Sequence, residues 1–413
     1  MNLRNIKKNF PTNSFIYEYL NYCDSLETAE DFDFWGAIWI LSLLCNRNIL
    51  INRPNLYLYP NFYILLVANS GIARKSTAIN FAKKILDGII EKDDIHLLTS
   101  TTSSQKFNQT LSNLSKKNKN CVIGINCSEF ITFYKNKSLI YQLTDFYDCP
   151  DERKGYGTIT KGNINIYNLF ISSYTGSTPI YYIKAVNEDE ISGGFTSRNI
   201  IIPAEKGKRR IAWETQNRSH EEIIRIGREI QKYIKKSEGV CNLSTEAIRR
   251  YTNWYNRRKL SNFDPFLQSF ESREQDYVLK LACLFAINEY SLEISEKHIT
   301  LAINFIKNYK NLSYNYFRNE IYKEDKNDLS VIIEKIKRYI VNSGEYGIYH
   351  RDLFNHVKAK CDIETFNYII TIMHEFEMID KLQPYKSKAM IYRATKNINK
   401  IKLKDIMKNI NIP

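Results

Sequence analysis

Histidine, paired cysteine and long apolar runs are scarce in this sequence, and each shortage closes off a class of chemistry. The six histidines stand apart at 96, 220, 298, 350, 356 and 374. Neither HExxH nor GxSxG occurs, which leaves zincin and nucleophile-elbow hydrolases without their motifs. The eight cysteines form no CxxC pair, which argues against a zinc ribbon or a disulfide framework. Several lie in apolar runs and read as reduced, buried thiols of a cytoplasmic protein. The longest apolar run, Phe34–Cys45, is too short to span a bilayer and reads as a buried helix. The opening residues, MNLRNIKKNF, lack the apolar core of a signal peptide. Acids are the minority charge, 45 against 59 Lys and Arg, for a net charge of +14 over 413 residues. That excess points to an anionic partner, nucleic acid first, or to solubility charge in a Lys- and Asn-rich chain.

What is present is an alternation of strands and helices. Residues 12–46 predict two helices, with Thr28 as cap of the second, and Arg47 to Tyr59 suits a hairpin. FYILLVA (62–68) is a continuous apolar strand, and a helix is expected from Lys75 to about Ile90. Further strands are expected at 95–100, 121–125, 168–175 and 197–203, with a helix over 103–115. This is the pattern of an α/β fold with a mostly parallel sheet covered on both faces. After Pro203 the periodicity is helical over 219–238, 244–262, 265–289 and 295–318, and NEIYKEDKN (319–327) reads as a charged linker. Three helices and a hairpin then suggest a winged-helix module. The expected organisation is a lead-in at 1–60, a core at 61–204, a helical lid at 205–320, the winged helix at 328–395 and a basic tail at 396–413.

Two motifs carry the chemistry. Asn69-Ser70-Gly71-Ile72-Ala73-Arg74-Lys75-Ser76-Thr77 joins the first core strand to its helix. The phosphate-loop pattern is G-x-x-x-x-G-K-[ST], in which backbone N–H groups wrap phosphates, Lys reaches the outer ones and the hydroxyl holds Mg²⁺. Lys75 and Ser76 fit those roles, whereas Asn69 and Arg74 replace the framing glycines. Asn tolerates left-handed backbone, but Arg is a real departure. The bland alternative is an ordinary strand–loop–helix connection with a charged first turn. The second motif, CVIGINCSE, ends a strand with Ser128-Glu129, 54 residues after Lys75. Glu129 is the candidate base that orients water, and Ser128 stands where a metal-holding Asp is usual. Alternatively, Glu129 is a helix N-terminal acid.

YPNFYILLVANSGIARKSTAI resembles the core of a P-loop ATPase family carried by phages, plasmids and integrated elements. That family was long catalogued as a domain of unknown function and often sits beside primase modules. The resemblance continues through LTDFYDCPDE, SSYTGSTP and GGFTSRNIIIP and covers roughly residues 10–310. It makes Arg74 and Ser128 family traits, and it implies an ATP- and Mg²⁺-dependent AAA+ or RecA-like core that assembles in rings, as helicases do. Thr175 then falls where a polar sensor of the γ-phosphate stands. Arg198 falls where minichromosome-maintenance helicases carry an Arg finger, supplied to the neighbouring subunit. Arg273 is a candidate second sensor at the nucleotide, with Lys280 as its alternative.

Nucleic-acid contacts are expected at Lys206-Gly-Lys208-Arg209-Arg210 and at Arg249-Arg250…Arg257-Arg258-Lys259, the latter interleaved with Trp254 and Tyr255. Those two rings are equally explained as core. The hairpin Thr158–Asn168, with Lys154 and Lys161 near it, suits a pore loop. The wing lysines 386 and 388 and Arg393 suit phosphate contacts, yet the third helix of that module carries Glu364, Glu375 and Glu377 and should not read a major groove. Asp145, Asp148, Asp151 and Glu152 read as a solvated loop rather than metal ligands. The sequence thus predicts an ATP-dependent, ring-forming DNA translocase or helicase for a mobile element, with DNA and a primase or initiator as partners. A non-unwinding ATP switch (loader, initiator or defence ATPase) is the competing reading, and a DNA-binding regulator that has lost hydrolysis is a third.

Overall fold

The structure is a computed structural model. It describes residues 6–399 apart from 54–55, 92–93, 101, 131–135, 154–164, 187–193, 206, 208–209, 212–218, 259–269, 359–360 and 385–388. The chain divides into two compact units, Met1–Tyr316 and Phe317–Pro413.

The first unit opens with α1 (Phe15–Cys23) and α2 (Glu30–Cys45). α2 is apolar around its whole circumference because it is enclosed. Trp35, Trp39 and Leu43 are fully buried, and the helix packs on α1 and on the main sheet. Its cap is Ala29 rather than Thr28. The Thr28 hydroxyl instead donates to Asp33, 2.7 Å away, because Thr28 lies one residue ahead of the cap.

β1 (Ile49–Arg53) and β2 (Leu56–Leu58) form the expected hairpin. The main elements follow in order: β3 (Tyr63–Val67), α3 (Lys75–Ile89), β4 (His96–Leu98), α4 (Ser104–Lys117), β5 (Cys121–Cys127) and α5 (Lys137–Phe146). After the short antiparallel pair β6 (Glu152–Arg153) and β7 (Ile166–Tyr167) come β8 (Leu169–Ser177), α6 (Pro179–Val186) and β9 (Asn199–Pro203). The sheet order is β4-β5-β8-β3-β9, and all five strands are parallel. β3, β5, β8 and β9 are buried along their whole length, which explains their unbroken apolar texture. In a parallel sheet the carboxyl ends share one edge, and ligands bind in the crevice outside that edge. The loop after β3, Ser128-Glu129 after β5 and Ser177 of β8 therefore gather at one place.

α7 (Glu221–Lys236), β10 (Gly239–Leu243), α8 (Thr245–Arg257), α9 (Glu274–Asn288), β11 (Glu293–Ile294) and α10 (Glu296–Asn342) follow. Strands thus continue beyond Pro203, against expectation. β10 pairs in parallel with β1, and β11 with β10, giving a second sheet of order β11-β10-β1-β2. Five residues between two helices are too short for their periodicity to stand out, and only pairing with the hairpin edge makes GVCNL a strand. α3 and α7 approach through a reciprocal pair of notches. A Cβ on Gly227 would lie 2.3 Å from Ile89 Cδ1, and one on Gly88 would lie 2.4 Å from Ile224 Cδ1.

The stretch 319–327 is not a linker but part of α10. Its polarity resembles a linker, yet it lacks both Gly and Pro, so nothing in it breaks a helix. In the second unit, the end of α10, α11 (His350–Val357) and α12 (Ile363–Glu375) pack with β12 (Ile348–Tyr349), β13 (Ile379–Leu382) and β14 (Ile391–Ala394). The strands form an antiparallel sheet of order β12-β14-β13. Ile336, Ile340, Leu353, Phe366 and Met373 form its core.

Candidate nucleotide-binding site

Residues 69–77 leave β3 and enter α3. Asn69, Ser70, Gly71, Ile72, Arg74, Ser76 and Thr77 face solvent, while Ala73 is buried and seats the loop. Gly71 has φ 77° and open space around it, so the loop turns there at no steric cost. Arg74 occupies the helix cap with φ 51° and ψ 40°, in the left-handed region. The second framing glycine is therefore absent in sequence while its backbone conformation is kept, at a cost of roughly 1 kcal/mol or more. The Arg74 guanidinium is held by Glu27, with Nε 3.0 Å and Nη2 2.6 Å from one carboxylate oxygen.

The Lys75 ammonium donates to the Ala68 carbonyl and reaches the Asn69 carbonyl at 3.5 Å. Half-burial lowers its pKa, and the negative charge of Glu129 partly restores it. Loop lysine and strand-end glutamate thus share one electrostatic neighbourhood. Beyond β5, Phe130 N–H donates to Gly176 O at 2.8 Å, which folds Ser128-Glu129 back over β8. A Cβ at residue 176 would lie 2.8 Å from Ser128 O, so this approach requires glycine.

Thr175 does not stand at the carboxyl edge beside the loop. β8 runs two residues past it, and its hydroxyl donates to Ile64 O at 3.2 Å inside the sheet. Ser177, opposite Val67, ends the strand beside the loop, and its carbonyl accepts from Ala68 N–H at 3.3 Å. Polar residues at 172–177 hid the true end of the strand, and continuous burial shows where it falls.

Arg198 and Arg273 lie at the opposite edge. Arg198 precedes β9, whose first residue pairs with Tyr63, the start of β3. The length of β3 separates it from the loop, roughly 15 Å at strand rise. Arg198 approaches Asp148 at 3.7 Å, and Arg273 approaches the same carboxylate at 3.3 Å. Both guanidiniums lie near the Tyr147 ring. The role of Arg273 at this chain's own nucleotide is therefore corrected: α9 brings it to Asp148, away from the loop. Lys280 is there too, fully buried, with Nζ 4.1 Å from the Tyr147 ring centroid and 2.7 Å from Asn61 Oδ1. Burial lowers its pKa to about 8. Asp145, Asp148 and Asp151 each pair with arginine: Asp145 with Arg153, Asp148 with Arg198 and Arg273, and Asp151 with Arg47.

A metal at the loop would rely on the Ser76 and Ser128 hydroxyls and on Glu129. Among the described residues no group of three His, Cys, Asp or Glu could hold an ion. This donor set fits Mg²⁺ arriving with phosphates, which keeps most of its water, better than a free-cation site.

The basic run around α8 forms one wall of a cleft of about 560 Å³ whose other wall is α10. Arg250, Arg257, Arg258, Lys307 and Lys310 line it, with Trp254. Arg258 stacks over Trp254 and Tyr255 at 5.0 and 4.5 Å. Glu271 and Glu274 engage Lys310, and Glu274 also approaches Arg258. Arg257 and Lys307 have no ion-pair partner among the described residues. Lys154, Lys161, Lys206, Lys208, Arg209, Lys259, Lys386 and Lys388 lie outside the described residues, as does most of the 158–168 hairpin. Of the eight cysteines, seven are buried and Cys361 is half-buried, all free thiols. No helix among the described residues is long and apolar enough to cross a membrane.

No protein-family profile matches the chain, and no curated protein matches it. Among solved structures it is similar to a full-length MCM homolog from Methanopyrus kandleri, at 13% identity and a TM-score of 0.42. The match covers 72% of this chain and spans 58% of that one.

Proposed function

We propose that this chain is an ATP-dependent, ring-forming DNA translocase or helicase that serves replication of a mobile genetic element. The carrying observation is that Lys75 and Glu129 meet at the carboxyl edge of a five-stranded parallel sheet while Arg198 sits at the opposite edge. β8 lies between the loop strand β3 and the acid strand β5, an order that suits the AAA+ or RecA-like core implied by the resemblance. In this reading the exposed N-terminus of α3 binds the triphosphate, and Lys75 leaves the Ala68 carbonyl to pair with the outer phosphates. Glu129 accepts a hydrogen bond from the attacking water and aims it. Ser177, beside the loop, takes the sensing role that the sequence assigns to Thr175. Mg²⁺, when bound, neutralises phosphate charge, and Ser76 and Ser128 are the side chains that would hold it. Arg198 cannot serve its own loop, so it serves a neighbour's, which makes a ring the functional form. The second unit, read as a winged helix, docks a primase or initiator, since Glu364 and Glu375 are exposed on α12.

An ATP switch without unwinding is the second reading. It is favoured by Ser128, which leaves Glu129 as the sole carboxylate in residues 121–130. ATP turnover with and without single-stranded DNA, together with displacement of a forked duplex, separates the two. The helicase reading expects turnover that DNA raises, loss of turnover in Glu129→Gln and ATP-dependent strand displacement. Assembly on nucleotide with no displacement would establish the switch instead.

A further inference from the structure

Glu27 lies in the turn between α1 and α2, 47 residues before Arg74, and ties three distant segments together. One carboxylate oxygen takes both Nε and Nη2 of Arg74. The other accepts the Ile211 backbone N–H at 2.9 Å, from the segment that leaves β9. That segment also touches the loop directly, since Gly207 N–H donates to Ile72 O at 3.2 Å. A Cβ at residue 207 would lie 2.2 Å from the Glu27 carbonyl oxygen, so only glycine lets the strap pass. The three hydrogen bonds at Glu27 hold its pKa down.

This arrangement accounts for an Arg where phosphate loops carry glycine. Glycine adopts the left-handed conformation freely, whereas an Arg there relaxes out of it unless its side chain is anchored. We infer that Glu27 is a positioning residue for the phosphate loop: it anchors the Arg74 guanidinium and so holds residue 74 in the backbone conformation that the triphosphate requires. The inference rests on the nucleotide-binding reading of that loop. The fraction of molecules with a competent loop multiplies the apparent affinity, so loosening the anchor weakens binding without removing any phosphate contact.

The test is equilibrium binding of a fluorescent ATP analogue with Mg²⁺ to the full chain and three variants. Glu27→Gln keeps an acceptor for Ile211 but removes the charge that grips Arg74. It should raise Kd about fivefold, the upper range for a partly exposed ion pair. Arg74→Gly needs no anchor, and its own Kd, whatever its value, is the reference for the second background. In the double variant, Glu27→Gln should then have no further effect on Kd. Thermal melting of each variant shows that the fold is intact, and a purely structural role for Glu27 would weaken binding equally in both backgrounds, which overturns the inference. Tighter binding by Glu27→Gln alone would overturn it as well, since Glu27 would then be restraining Arg74 from the phosphates. Unchanged binding in Glu27→Gln sinks the inference and leaves the nucleotide reading standing. Absence of binding in the unsubstituted chain sinks both.

Discussion

Single side chains separate the two edges of the main sheet. At the carboxyl edge, Lys75 is half-buried against its own loop carbonyls, so Lys75→Ala should abolish measurable ATP binding while leaving the melting temperature within a few degrees. At the other edge, Lys280 is fully buried with a pKa near 8 against an ordinary 10.5. Its folded value is the lower one, so between about pH 8 and 10.5 the unfolded chain holds the extra proton. The Lys280 contribution to stability therefore increases with pH through that window and is lost again as pH falls through 8. Urea unfolding of the wild type and Lys280→Met at pH 7.5 and pH 10 measures this. The stability difference between them should move toward the wild type by on the order of 2 kcal/mol at the higher pH. A difference that stays flat would mean that Lys280 is not desolvated as the structure has it.

Elements meet here through close fits that one substitution can spoil. The α3–α7 crossing depends on Gly227 and Gly88 receiving Ile89 and Ile224. Gly227→Val should cost roughly 1–3 kcal/mol of unfolding free energy, read by urea titration, because the added side chain meets the buried Ile89 and Phe15 side chains. The cleft between α8 and α10 is an element-scale feature too, since neither helix alone provides it. Arg257→Gln with Lys307→Gln should weaken single-stranded DNA binding at every sequence tested. The slope of log affinity against log salt should fall by about 1.4 for two lost phosphate contacts. An unchanged slope would remove this cleft from the nucleic-acid path.

At the scale of the whole molecule, the proposed finger role of Arg198 requires a second subunit, because its own loop lies a strand length away. Arg198→Ala and Glu129→Gln should each be inactive alone. Mixed in equal amounts, they should recover turnover at about a quarter of the interfaces, where an intact glutamate meets an intact arginine. No recovery on mixing, with assembly confirmed by light scattering, would exclude a shared site. The succession of core strands from Tyr63 to Pro203 was legible in the sequence chiefly because β3, β5 and β9 read as apolar runs buried on both faces. The second sheet was not, because β10 and β11 are short: β10 owes its strand state to pairing with a hairpin some 190 residues earlier, and β11 owes its own to pairing with β10. The continuity of α10 was likewise obscured by a polar stretch that reads as a linker although it holds neither Gly nor Pro.

The sequence by itself determined that a strand delivers Asn69 to Thr77 into a helix, and that Glu129 follows a second buried strand. Such features are local, set by periodicity and by residue chemistry within a few turns. Only the tertiary structure decided that Ser177 rather than Thr175 ends its strand beside the loop, that Arg273 joins Arg198 at Asp148, and that Glu27 secures Arg74. The physical reason is that register and ion pairing depend on which distant segments the packing of α2 and the parallel sheet brings together, and no window along the chain contains both partners.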